Sequence, residues 1–136
     1  MNTQSKFLLV EDNEDDVFFM ERAFQQAGVH NPLHVVKNGE EAIEYLSGQN
    51  QFSDRQEHPL PDLIFLDLKM PGVNGFEVLK WMRAQSVNIP VAILTSSTED
   101  IDRERARELG AECYLLKPPT KEMVLDCFKQ FELTYA

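Results

Sequence analysis

The chain predicts an α/β fold: a doubly wound, five-stranded parallel sheet with helices on both faces. Three features of the sequence carry that expectation. Short apolar runs alternate with stretches whose apolar residues recur at helical spacing, the runs are apolar throughout, and each ends in polar or charged residues. Strands covered on both faces read as continuous hydrophobic runs, and alternating strands and helices build right-handed crossovers between parallel neighbours. With 136 residues, 43% of them hydrophobic, the chain suits one core. A single domain over 1–136 is expected, with its core at about 6–131 and a tail at 132–136.

The first strand is Phe7-Leu8-Leu9-Val10, closed by Glu11-Asp12. Val17, Met20, Phe24 and Ala27 then mark a first helix, and Gly28 offers its stop. Leu33-His34-Val35-Val36 is a short second strand, Asn38-Gly39 breaks it, and Ala42, Ile43 and Leu46 mark a second helix ending near Gly48. Residues 47–61, polar and with prolines at 59 and 61, read as a surface loop longer than an ordinary crossover. The third strand, Leu63-Ile64-Phe65-Leu66, opens at Asp67 into a loop, and a third helix follows from Gly75 to Gln85 with Phe76, Leu79 and Met82 inward. Pro90 introduces Val91-Ala92-Ile93-Leu94, which ends in Thr95-Ser96. Ser97 to Asp100 reads as the capped start of a mostly solvated fourth helix that stops at Gly110. Cys113-Tyr114-Leu115-Leu116 ends in Lys117-Pro118, and Met123, Val124, Cys127, Phe128 and Phe131 mark the fifth helix.

Parallel strands present their carboxyl ends on one edge, so Glu11, Asp12, Asp67, Thr95 and Lys117 are expected to converge there. Asp67 is the candidate reactive group; the simpler reading is an Asx turn ahead of Pro71. Three carboxylates on one rim repel one another, and a hard divalent cation relieves that repulsion best, which points to Mg²⁺. Glu14, Asp15 and Asp16 are assigned to the first turn of the helix, where negative charge meets the positive end of its dipole.

These motifs, Val10-Glu11-Asp12-Asn13, Asp67-Leu68-Lys69-Met70-Pro71-Gly72, Thr95-Ser96 and Tyr114-Leu115-Leu116-Lys117-Pro118, resemble the receiver domain of two-component response regulators. The likeness runs from about Lys6 to Phe131 and implies the CheY-like, flavodoxin-like strand order 2-1-3-4-5. It also implies roles. Asp67 would accept a phosphoryl group from a sensor histidine kinase, with Mg²⁺ held by Glu11, Asp12, Asp67 and the backbone carbonyl of Lys69. Lys117 would neutralise phosphoryl charge, and Thr95 and Tyr114 would switch the face built by the fourth helix, fifth strand and fifth helix. Such a chain is a signalling receiver, catalysing only its own phosphotransfer and dephosphorylation. The overall pattern looks like the stand-alone regulators paired with bacterial phytochrome kinases, which carry no output domain and dimerise on that face.

Other classes fit less well. A haloacid-dehalogenase-type phosphatase needs an acid two residues after its nucleophile, where this chain has Lys69, and a flavodoxin-like FMN carrier would set its phosphate against the acidic run Glu11 to Asp16. A phosphorylation-independent docking module is the remaining alternative. A net charge of −10 and a pI near 4.7 disfavour nucleic acid. No secretory segment and no run of about 18 apolar residues is present, so no membrane partner and a cytoplasmic location are expected. Cys113 and Cys127 read as small buried hydrophobes with no disulfide, and His30, His34 and His58 lack ligand spacing. Phe131, Leu133 and Tyr135 alternate at a two-residue period, which suggests a tail packed on the body or on a second subunit of a homodimer.

Overall fold

In the computed structural model, which describes residues 4–135, five parallel strands stand in the order β2-β1-β3-β4-β5. In chain order the elements are β1 (Phe7–Val10), α1 (Glu14–Gln26), β2 (Leu33–Val36), α2 (Gly39–Ser47), β3 (Leu63–Leu66), α3 (Gly75–Ala84), β4 (Val91–Thr95), α4 (Asp100–Glu108), β5 (Cys113–Leu116) and α5 (Lys121–Gln130). Residues 1–3 and 136 of the expected domain lie outside the described residues.

Strand periodicity divides the core in two. Alternate side chains point to opposite faces, so Leu8 and Val10 of β1 join Ala42 and Tyr45 of α2, Leu79 and Met82 of α3, and Ala106 of α4. Phe7 and Leu9 join Met20 and Phe24 of α1 and Val124 and Phe128 of α5 on the other face. Phe7 stacks on Phe128 at 4.7 Å and meets Phe24 edge-on at 5.4 Å. β1, β3 and β4 are buried along their whole length, which is why they carry no polar residue before their ends.

Local chemistry sets the helix starts. Asn13, Asn38, Asn74 and Thr120 each accept backbone N–H groups of the following turn, and Asn74 with Glu77 forms a reciprocal capping box. The fourth helix differs from expectation. Its cap position is Glu99, which makes no side-chain cap bond; Ser97 instead accepts from Glu99 N and donates to Asp102 at 2.7 Å. The helix is mostly solvated, as expected, with Ala106 its buried residue. Arg103 lies over the Tyr114 ring at 5.0 Å and Arg105 over Phe76 at 4.2 Å, so two guanidiniums cover aromatic faces.

The long loop has a short 3-10 turn at Asn50–Phe52. Arg55 donates to the carbonyls of Tyr45, Leu46 and His58, and Tyr45 donates to Pro59, so the loop satisfies the end of α2. The tail packs on its own body. Leu133 and Phe131 lie against the α1–α5 core, Tyr135 tilts against Phe128, and Thr134 exchanges backbone and side-chain bonds with Ser5. No described helix is long and apolar enough to cross a membrane.

Candidate functional site

Glu11, Asp67, Thr95 and Lys117 each sit at or one step beyond a strand end, and the sheet ladder holds them there. Glu11 N donates to Val36, Asp67 N to Val10, and Lys117 N to Thr95, at 3.0, 3.1 and 2.8 Å. Each of the three residues following a strand is therefore pinned by its neighbour strand, which fixes the rim. The Asp67 loop is closed from behind: Gly75 N donates to the Leu68 carbonyl, and any Cβ at Gly75 would collide with the backbone of Asp67 and Leu68. Leu68 and Met70 are buried, and Val73 N donates to Glu40 of α2, so the loop is anchored on both sides.

Glu11, Asp67 and Thr95 are buried, whereas Asp12 and Lys69 are exposed. Lys117 Nζ is the hub: it lies 2.7 Å from Glu11 Oε1, 2.8 Å from Asp16 Oδ2 and 3.4 Å from Asp67 Oδ2. Lys69 offers the site its backbone, donating from N to Asp67 Oδ1 at 3.4 Å while its ammonium turns away to Asp102 at 3.7 Å. Thr95 Oγ1 accepts from Ser97 N, and the Tyr114 hydroxyl donates to the Ser97 carbonyl at 3.3 Å. Thr95 is thus a turn-forming hydroxyl, and Tyr114 a half-buried ring with its OH engaged.

Burial pushes the Glu11 carboxyl up to about 7, helped by the Asp67 charge and opposed by Lys117. Asp67 is raised for the same reason, with Lys117 and the Lys69 N–H pulling it back. Burial also works against the Lys117 charge, but its hydrogen bonds to Asp16 and Glu11 and the nearby Asp67 charge outweigh this, holding the ammonium above its ordinary range. The site is therefore short of positive charge: one lysine faces several acids.

Oxygens of Glu11, Asp12 and Asp67 lie within 4.8 Å of one another. Glu11 Oε1 is buried and faces Lys117 Nζ at 2.7 Å. An all-oxygen set of three carboxylates held this close suits a hard divalent cation. The residues present thus fit Mg²⁺.

The sequence predicts Glu11, Asp12, Asp67, Thr95 and Lys117 on one rim, and the fold brings them there; Lys69 follows in the Asp67 loop, and Tyr114 stands inside β5 with its hydroxyl reaching Ser97. Asp16 stands in the first turn of α1, as expected, but its carboxylate also reaches Lys117, a contact the sequence does not predict. Cys113 also differs: it is only half-buried, with its sulfur 3.6 Å from Cys127.

The response regulator receiver domain family matches residues 7–129, and the chain belongs to it. The probable methanogenesis regulatory protein FilR2 of Methanothrix harundinacea is 36% identical over 113 residues, 82% of this chain and 70% of that protein. The match to a Bacillus subtilis alkaline phosphatase synthesis regulator, PhoP, spans only 42% of that protein's length. Among solved structures, the bacteriophytochrome response regulator RtBRR is similar with a TM-score of 0.83 and 35% identity, covering 98% of this chain and 81% of that one. The phosphorylated cyanobacterial phytochrome response regulator RcpA follows at 0.78 and 30%, covering 96% and 92%. The Mn²⁺-bound form of response regulator Rcp1 stands at 0.77 and 28%, covering 97% and 99%.

Proposed function

We propose that this receiver domain accepts a phosphoryl group on Asp67 from a sensor histidine kinase, with Mg²⁺ bound by Glu11, Asp12, Asp67 and the Lys69 carbonyl. The observation that carries it is the buried Asp67 carboxylate set 3.4 Å from the Lys117 ammonium beside two further strand-end acids. Burial alone would leave Asp67 inclined to hold a proton; Mg²⁺, when bound by these residues, would supply the missing positive charge beside the phosphoryl oxygens. An Asp67 oxygen attacks phosphorus in line, the P–N bond to the kinase histidine breaks, and an aspartyl phosphate forms. Lys117 turns from Glu11 toward the transferred group, matching charge that develops there.

Thr95 then leaves Ser97 N to donate to a phosphoryl oxygen, and Tyr114 follows inward from the Ser97 carbonyl. Both residues already share Ser97 as a partner, so moving one disturbs the other. The face of α4, β5 and α5 changes, and the signal leaves through a protein partner or a second copy of this chain. Likeness to RtBRR and RcpA supports a phytochrome-type kinase and a stand-alone regulator, and the net charge of −10 argues for a protein partner rather than nucleic acid.

Intact mass after incubation with acetyl phosphate and Mg²⁺ tests the assignment. The parent gains one phosphoryl group and Asp67→Asn gains none; equal labelling of both would remove Asp67 from the role and favour a docking module instead. Sedimentation with and without phosphorylation reads the output face, and a monomer in every state defeats the homodimer.

A further inference from the structure

Phosphotransfer makes no use of Cys113 and Cys127. Cys113 opens the edge strand β5 on the side facing α5, and Cys127 is the buried α5 residue packed against it. Their sulfurs are 3.6 Å apart, and both thiols are free. Cys113 also donates to the Gln130 side chain, which in turn donates to the Glu112 carbonyl, so the pair lies under an exposed, movable amide rather than deep in the core. A disulfide needs about 2 Å between sulfurs, within reach of a side-chain turn on facing elements.

We propose that Cys113 and Cys127 are a reversible redox modification site, in which a hydroperoxide oxidises Cys113 and Cys127 then closes a disulfide between β5 and α5. The order follows from the environment. The Cys127 thiol donates to the Cys113 sulfur and brings Cys113 down to about 7 despite burial and the opposing charges of Glu112 and Asp126, whereas the same bond and burial push Cys127 up. Cys113 is also the more accessible of the two.

In the first step the Cys113 thiolate attacks a peroxide oxygen and the O–O bond breaks. Sulfur is oxidised to sulfenic acid as the peroxide is reduced, and the leaving oxygen takes up a proton. In the second, the Cys127 sulfur attacks the Cys113 sulfur, the S–O bond breaks, and hydroxide departs as water with the Cys127 proton. A dithiol returns both cysteines by exchange. The bridge ties α5 to the strand that continues into Tyr114 and Lys117.

Treating the full chain with hydrogen peroxide, alkylating the remaining thiols under denaturing conditions and mapping the peptides tests this. The expected result is loss of both alkylation sites in a single chain, a mass lower by two hydrogen atoms, a peptide pair joining Cys113 to Cys127, and full reversal by dithiothreitol. Cys127→Ala should stop at a Cys113 sulfenic acid that dimedone traps, an adduct absent from the parent. If that variant does not fold, the parent map alone decides. Two fully alkylatable thiols at peroxide levels that oxidise the methionines, or disulfides found solely between chains, overturn the proposal.

Discussion

At the amino-terminal edge of the sheet, buried Asn31 donates to the carbonyls of Ser5 and Thr134, both at 3.0 Å, and so ties the start of the chain to its end. At the carboxyl edge, Glu11 is buried against a Lys117 ammonium that it shares with Asp16 and Asp67, and burial disfavours the Asp67 charge. Both ends bury polar groups, but one pairs them within the protein and the other holds charge only partly compensated. A satisfied network stabilises, whereas groups held short of their partners cost stability and are retained where a ligand completes them. The first edge is built for the fold and the second for chemistry.

Removing the Lys117 ammonium from the carboxyl edge has the largest expected effect. Lys117→Met should slow labelling by acetyl phosphate by about 10²–10³-fold, since a preorganised donor to developing phosphoryl charge is lost. Rates measured by intact mass at saturating Mg²⁺ check it; a loss below about tenfold would place the work elsewhere.

The same edge should respond to pH. Glu11 holds its proton up to about 7 in the folded state against 4.5 ordinarily. Folding therefore binds the proton more tightly, so its contribution is present below pH 4.5 and is lost as pH rises through about 7. Metal-free protein should lose roughly 3 kcal/mol across that window from this group, with Asp67 adding in the same direction. Denaturant melts in chelator, compared with Glu11→Gln, isolate the effect; the two chains showing one slope would contradict it. Mg²⁺ should stabilise the parent more above the window than below it, because the cation competes with that proton.

At the amino-terminal edge, Asn31→Ala should lower stability by about 2 kcal/mol, through two lost hydrogen bonds, and leave labelling of Asp67 unchanged. A melt and the mass assay run on one sample decide it, and reduced labelling of fully folded variant would erase the contrast between the edges.

The smallest effect is expected at the border of the site. Asp16 is partly exposed, so Asp16→Asn should cost less than about 1 kcal/mol and change the labelling rate by only a few-fold. A fall as deep as that of Lys117→Met would instead make Asp16 the group that positions the lysine.

Much of the site was legible in the sequence because the relevant residues lie next to unmistakable strands. Phe7–Val10 and Leu63–Leu66 could be read as buried from their unbroken apolarity, and Glu11 and Asp67 follow them directly. The strand order came from resemblance, since apolar runs do not state their neighbours. Asp16 was hidden because helix and strand placement together, and not spacing to Asp67, bring it to a lysine 101 positions away. Cys113 and Cys127 gave no signal for a similar reason: their contact depends on how α5 crosses β5.

What the sequence by itself determined is whatever one stretch of backbone decides locally: the strands, the asparagine-led helices, the acids, hydroxyl and lysine at strand ends. Periodicity and capping act over a few residues and leave a readable pattern. Only the tertiary structure decided how charge is shared among Glu11, Asp16, Asp67 and Lys117, how the tail closes on Ser5 and Asn31, and which cysteines meet. Those outcomes depend on burial and on distances of a few ångströms between remote segments, and both exist only once the sheet has assembled.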